Sequence, residues 1–184
     1  EVEEAFAGDI VGLFDAGNLR IGDTLCEGSA FEYQGIPRFS PEHFASLRLQ
    51  DPSKRKQMRK GLDQLIEEGA VQVFYRPHLG EQEPILGAIG VLQFEVLQYR
   101  LQSEYNVKVD LEPMGFSLAR WVEGPFDAGA FSKYGWSTVL EDRDGLPVIL
   151  FRDEWALQRE LGNHPKLKLL ETAPTTLVTA ASEA

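Results

Sequence analysis

The chain has 184 residues, 18 Lys and Arg against 29 Asp and Glu for a formal charge of −11, and 43% apolar residues. That apolar share is too high for wholesale disorder and suits one domain, or one domain with a piece of another. The acidic balance argues against a nucleic-acid binder held by whole-molecule charge, the single cysteine Cys26 excludes a disulfide scaffold, and no apolar run approaches the roughly 20 residues of a membrane span.

Residues 1–30 read as short β segments between turns. The segments 9–13, 19–21 and 24–26 are separated by the turn clusters Asp15-Ala16-Gly17-Asn18 and Gly22-Asp23. So few strands bury too little alone. They are expected either to pack on the rest of the chain or to close a β domain that begins upstream. An opening on Glu1-Val2-Glu3 without Met points to the second.

Pro37 and Pro41 make residues 27–41 a linker or an extended crossing. Residues 43–49 then alternate as a strand, Phe44, Ser46 and Arg48 on one face and Ala45, Leu47 and Leu49 on the other. Asp51-Pro52 marks a helix start, because Asp caps free amides and Pro at the first position loses no useful donor. Met58, Leu62, Leu65 and Ile66 form one apolar stripe, and Gly69 is placed as a left-handed cap, so the spacing predicts a helix over 52–68.

Strands follow at 71–75, ended by Pro77, and at 84–89, with 78–83 as a polar hairpin loop. Val91, Phe94, Leu97, Leu101 and Tyr105 recur at helical spacing until Asn106, and 107–111 alternate until Pro113. The order strand, helix, strand, strand, helix, strand predicts an α+β, ferredoxin-like split βαβ core with both helices on one face of an antiparallel sheet. Beyond it, residues 126–134 suggest a short helix, and strands at 138–140 and 148–151 flank the turn Asp142-Arg143-Asp144-Gly145. Residues 153–161 suggest a helix closed by Gly162 and Pro165, and 167–171 a last strand.

No catalytic signature accompanies these elements. A phosphate-binding GxxxxGK[ST] loop is absent, and Gly87-Ala88-Ile89-Gly90 suits a strand-to-helix corner better than a cofactor turn. His43, His78 and His164 lack metal-ligand spacing, and the carboxylates of 141–145 lack the calcium-loop pattern. Cys26, at the end of an apolar segment, reads as a small buried apolar residue. One feature resists a purely structural account: Lys54, Arg55, Lys56, Arg59 and Lys60 put five cations into seven residues. They occupy the positive end of the helix dipole, with like charges at i, i+4, while Glu67 and Glu68 sit at its negative end. The charge is backwards along the helix. Either the face is simply solvated, or an external anion such as a phosphate backbone or an acidic protein face offsets the cost.

Residues 87–96 (Gly-Ala-Ile-Gly-Val-Leu-Gln-Phe-Glu-Val) and 100–107 (Arg-Leu-Gln-Ser-Glu-Tyr-Asn-Val) resemble a segment of domain III in the translational GTPases. Val-Leu-Gln-Phe at 91–94, in place of the Gly-Glu-Leu-His of elongation factor G, resembles the bacterial peptide chain release factor 3 branch. The blocks 35–39, 49–52, 61–65, 67–74 and 119–122 carry the likeness across the core, 8–25 resemble the closing strands of the family's β-barrel domain II, and 125–172 follow more loosely.

The resemblance implies a termination factor that docks on the ribosome and drives class I release factors off after peptide release. It implies closing strands of domain II over 1–30, a ferredoxin-like core of domain III over 31–124, a C-terminal extension over 125–172 and a flexible tail over 173–184. GTP or GDP and Mg would bind an N-terminal domain outside this chain, so no catalytic, cofactor or metal residue is expected here. The implied partners are the ribosome, through rRNA and a small-subunit protein at the shoulder, and class I release factors indirectly. A cytoplasmic location, with no membrane or DNA partner, goes with this. The alternatives are domain III of another translational GTPase of the elongation factor G kind, or a free-standing ferredoxin-like ligand-binding module. Lys54, Arg55, Lys56, Arg59 and Lys60 are the candidate ribosome or partner contacts.

Overall fold

The computed structural model describes residues 2, 4–15, 19, 22–29, 31, 39–77, 80–131 and 135–174. It divides into two units, residues 1–33 and 34–184. Among the described residues of the first unit there is neither helix nor strand. The strands expected at 9–13 and 24–26 carry no ladder, and most of 19–21 lies outside the described residues. Ile10 and Phe14 are fully exposed there, and Cys26, expected to be buried, is exposed as well, so apolar patterning did not produce a ladder among these described residues.

The second unit builds one sheet of eight strands. Strand β1 (His43–Leu49) leads through a 3-10 turn (Pro52–Lys54) into α1 (Arg55–Glu67), followed by β2 (Gln72–Arg76), β3 (Gly80–Ala88), α2 (Leu92–Tyr105) and β4 (Val109–Met114). Next come β5 (Leu118–Glu123), a 3-10 turn (Ala128–Ala130), β6 (Ser137–Asp142), β7 (Pro147–Phe151), α3 (Glu154–Asn163) and β8 (Lys168–Leu170). The spatial order is β4-β1-β3-β2-β6-β7-β5-β8 and every pairing is antiparallel. The fold is thus mixed α and β, with an open antiparallel sheet and three helices among the described residues.

Local chemistry explains the boundaries. Asp51 accepts the Ser53 N–H at 2.9 Å and opens the first helical turn, as its Pro52 neighbour predicts. Asn106 takes a left-handed conformation (φ 53°) and ends α2, and Gly69 (φ 75°) follows α1. Asp153 caps α3 through the Ala156 N–H at 2.9 Å. Pro113, expected to stop a strand, lies within β4 opposite Ala45. The sheet edge explains this: an outer strand has no second neighbour to miss the lost donor. The 78–83 loop shrinks as well, since β3 already begins at Gly80. Of the helix expected over 126–134, the described residues 126–131 form only the short turn Ala128–Ala130, and 132–134 lie outside the described residues.

Both faces of the sheet are buried. Leu47, Val73 and Leu86 meet Met58, Leu62, Leu65, Leu97 and Leu101 of α1 and α2 on one side. Ile149, Phe151 and Val122 meet Ala156 and Leu157 of α3. The opposite faces of the two halves share a third core of Phe44, Phe74, Ile85, Ala119, Trp121, Leu140, Val148 and Leu150. Phe74 on β2 and Trp121 on β5 are three strand steps apart in the sheet order, roughly 14 Å along a flat sheet. Their ring centroids lie 6.3 Å apart. The sheet therefore coils until its two halves pack face to face, with helices outside.

Candidate functional site

Burying Met58, Leu62 and Leu65 fixes which side of α1 faces outward. Arg55, Lys56, Arg59 and Lys60 are exposed and Lys54, in the turn before them, is half-buried. The structure therefore brings all five candidate cations together on one stretch of surface. Arg59 reaches Asp63 one turn on at 4.0 Å, a well-exposed pair of little energetic weight. Among the described residues, Lys54, Arg55, Lys56 and Lys60 have no carboxylate within ion-pair distance. Asp51 is committed to the cap: hydrogen bonding from Ser53, side chain first and backbone second, holds its carboxyl below the usual range.

The acidic end of α1 is resolved differently. Glu67 accepts from Arg143 of the β6–β7 turn at 3.0 Å, and Glu68 accepts from Arg100 of α2. Arg100 also holds Glu104 at 2.6 Å, one turn along its own helix. Tertiary arginines thus compensate the carboxylates that the α1 dipole disfavours, while its cations remain turned to solvent. Hydrogen bonds from the Arg100 guanidinium are the first cause that lowers the Glu68 and Glu104 carboxyls below the ordinary value of 4.5. Gln64 adds a bond to Glu68 at 3.1 Å.

The sign follows directly. Both carboxyls ionise more readily folded than unfolded, so their contribution is complete above 4.5 and fades as pH falls through the lower folded values. Arg100→Gln is expected to flatten the fall of the thermal midpoint between about pH 6 and about pH 3 relative to the parent chain. Parallel midpoint curves for the two proteins would refute this.

Two further surfaces are not evident from the sequence pattern alone. Leu92, Val96 and Tyr99 line the outer side of α2 at 71%, 51% and 73% exposure, opposite the buried Leu97 and Leu101. Val91, expected in the buried stripe, is exposed as well. On α3, Trp155 stands beside Trp136 and Arg159, and only the Trp155/Arg159 spacing of four hints at it. Among the described residues, no group of three His, Cys, Asp or Glu is placed to hold a metal ion, and no helix is long and apolar enough to cross a membrane.

Against this geometry, the family described as class II release factor RF3, C-terminal domain, matches residues 33–160. The chain belongs to that family. Peptide chain release factor 3 of Symbiobacterium thermophilum is 51% identical over 175 residues, covering 94% of this chain and 33% of its own length. Those of Nostoc punctiforme and Synechococcus elongatus are 50% and 48% identical over 176 residues, again covering 94% of this chain and 32% and 31% of their own lengths. The chain spans about a third of the length of the curated relatives it matches. The resemblance drawn from residues 87–107 is borne out.

Gln93, central to that motif, has a definite task. Its Oε1 accepts the N–H groups of Ile89 and Gly90 at 2.8 and 3.0 Å, and its Nε2 donates to the Ala70 carbonyl at 2.9 Å. One side chain thereby closes the first turn of α2 and ties it to the segment after α1.

Proposed function

We propose that this chain is the ribosome-docking C-terminal part of a translation termination factor. The longer protein would bind GTP or GDP with Mg in a separate domain and release class I release factors from the ribosome once the peptide is freed. The strand order β4-β1-β3-β2 supports treating residues 31–124 as a ferredoxin-like core of domain III; on the same reading 125–172 are its extension, 173–184 a tail and 1–30 the end of domain II. On this reading the chain is cytoplasmic, catalyses nothing itself, and transmits conformational change between the ribosome and the GTPase domain. It holds no cofactor, membrane or DNA.

The observation that carries the proposal is the outward basic segment of α1 within a release-factor family. Lys54, Arg55, Lys56 and Lys60 lack an ion-pair partner among the described residues, whereas Glu67 and Glu68 at the other end of the helix are matched to arginines. A helix charged against its own dipole gains most from an external polyanion, and ribosomal RNA presents one phosphate per nucleotide.

Co-sedimentation with terminating ribosomes tests it. The chain is expected to pellet in a salt-sensitive manner. Changing Lys54, Arg55, Lys56, Arg59 and Lys60 together to Gln should reduce binding by about tenfold or more, with an unchanged circular dichroism spectrum. Equal pelleting of a folded variant would move the contact away from α1. Failure of both to pellet would overturn docking by this chain.

A further inference from the structure

Trp155 projects from the first turn of α3 and is 57% exposed. Its indole is propped by Trp136, edge to face at 5.8 Å and 85°. Trp136 is itself fixed, since its Nε1 donates to Oε1 of the buried Glu160 at 3.1 Å. Arg159 sits in the corner between the rings, its Cζ 4.5 Å from the Trp136 centroid and 5.2 Å from that of Trp155. The exposed indole is thus pre-oriented beside a planar cation.

Every carboxylate near this corner on α3 is engaged elsewhere. Asp153 accepts the Ala156 N–H and lies 3.4 Å from Arg152. Glu154 accepts from Gln158 at 2.8 Å, and the second oxygen of Glu160 lies 3.5 Å from His164 Nε2. Among the described residues Arg159 is in no ion pair, and it rests on aromatic faces instead. The exposed indole has the exposed polar residues Glu154 and Gln158 beside it on α3, whereas a protein anchor relies on an apolar surround to exclude water. A nucleobase needs only a π-face, with a cation within reach of its phosphate.

We propose that the Trp155–Arg159 corner of α3 is a stacking site for an unpaired base of single-stranded RNA, with Arg159 serving the adjoining phosphate. The site lies on a different helix from the α1 cations and makes its own prediction. The probe is a fluorescein-labelled oligouridine of about 12 nucleotides, compared with a duplex of equal length. The protein is the full 184-residue chain with Lys54, Arg55, Lys56, Arg59 and Lys60 already changed to Gln, so that binding through that basic segment is removed.

Single-stranded RNA is expected to bind in preference to duplex and to quench tryptophan emission. Trp155→Ala should weaken binding about tenfold or more. Trp155→Phe should keep affinity within a few-fold while reducing the quench, because the ring still stacks but one of the two indoles of the corner is gone. Arg159→Gln should weaken binding several-fold and reduce the slope of log affinity against log salt by about 0.7, one phosphate contact on a single strand. Unchanged affinity in Trp155→Ala, or duplex binding as tight as single strand, overturns the proposal. So does capture of RNA-free ribosomal proteins through Trp155 with no RNA binding, which would make the corner a protein interface.

Discussion

Replacing Trp121 by Ala is expected to destabilise the fold by about 3–5 kcal/mol, a large share of the roughly 5–15 kcal/mol that holds an ordinary domain together. Trp121 is 1% exposed at the centre of the core that joins the two halves of the sheet. It lies between Val148 of β7 and Leu170 of β8, with its ring against Phe74. Its Nε1 donates to Asp142 Oδ2 at 2.8 Å. The other Asp142 oxygen accepts the N–H groups of Asp144 and Leu146 at 3.0 and 2.9 Å and thereby shapes the β6–β7 turn. Asp142 also stands opposite Phe74 where β2 meets β6. One carboxylate therefore holds the turn, the indole and the seam between halves.

Two milder variants separate these roles. Trp121→Phe keeps most of the ring and removes the donor, for an expected loss of about 1–3 kcal/mol, since Asp142 would keep a buried oxygen with one fewer partner. Asp142→Ala removes the acceptor from all three donors and should cost about 2–4 kcal/mol. In a urea-denaturation cycle the double variant should lose less than the sum, with a coupling of about 0.5–3 kcal/mol. Strict additivity would show that the indole–carboxylate bond adds nothing net.

Elements with local chemistry were legible in the sequence. Asp51-Pro52 marks the start of the first helical turn, Asn106 the end of α2 and Gly145 the β6–β7 hairpin, because capping and positive φ depend on neighbours in the chain. Strand β5 was not legible. Ala119 and Trp121 face the shared core while Val122 faces α3, so both sides are apolar and no alternation survives. The first 30 residues erred the other way, since apolar patterning suggested strands that the described residues do not form. A ladder needs a partner strand, and composition does not supply one. The basic run of α1 was visible as a cluster. The arginines that answer its carboxylates were not, because Arg100 and Arg143 lie 32 and 76 positions from Glu68 and Glu67.

Two helix glycines should respond to Ala with opposite signs. Helix propensity alone favours Ala over Gly by about 1 kcal/mol in a helix interior. At Gly162 of α3 nothing lies within 4 Å of where the methyl would stand, so Gly162→Ala should stabilise by about 0.5–1 kcal/mol. At Gly61 of α1 the methyl would lie 2.8 Å from Cγ and Cδ2 of Tyr105 and 2.9 Å from Cδ2 of Leu101. Neither neighbour yields easily. Leu101 is fully buried, and the Tyr105 hydroxyl donates to Gln64 Oε1 at 2.5 Å, pinning the ring against α1 from the other end. Gly61→Ala should therefore destabilise by about 1–3 kcal/mol, the overpacking cost outweighing the propensity gain. Gly61→Leu should do more, prising α1 from α2 and disturbing the Arg100–Glu68 bond between them. Urea midpoints settle the comparison. If Gly61→Ala raises the midpoint as Gly162→Ala does, the close approach of α1 and α2 is looser than the geometry requires, and Tyr105 turns aside at little cost.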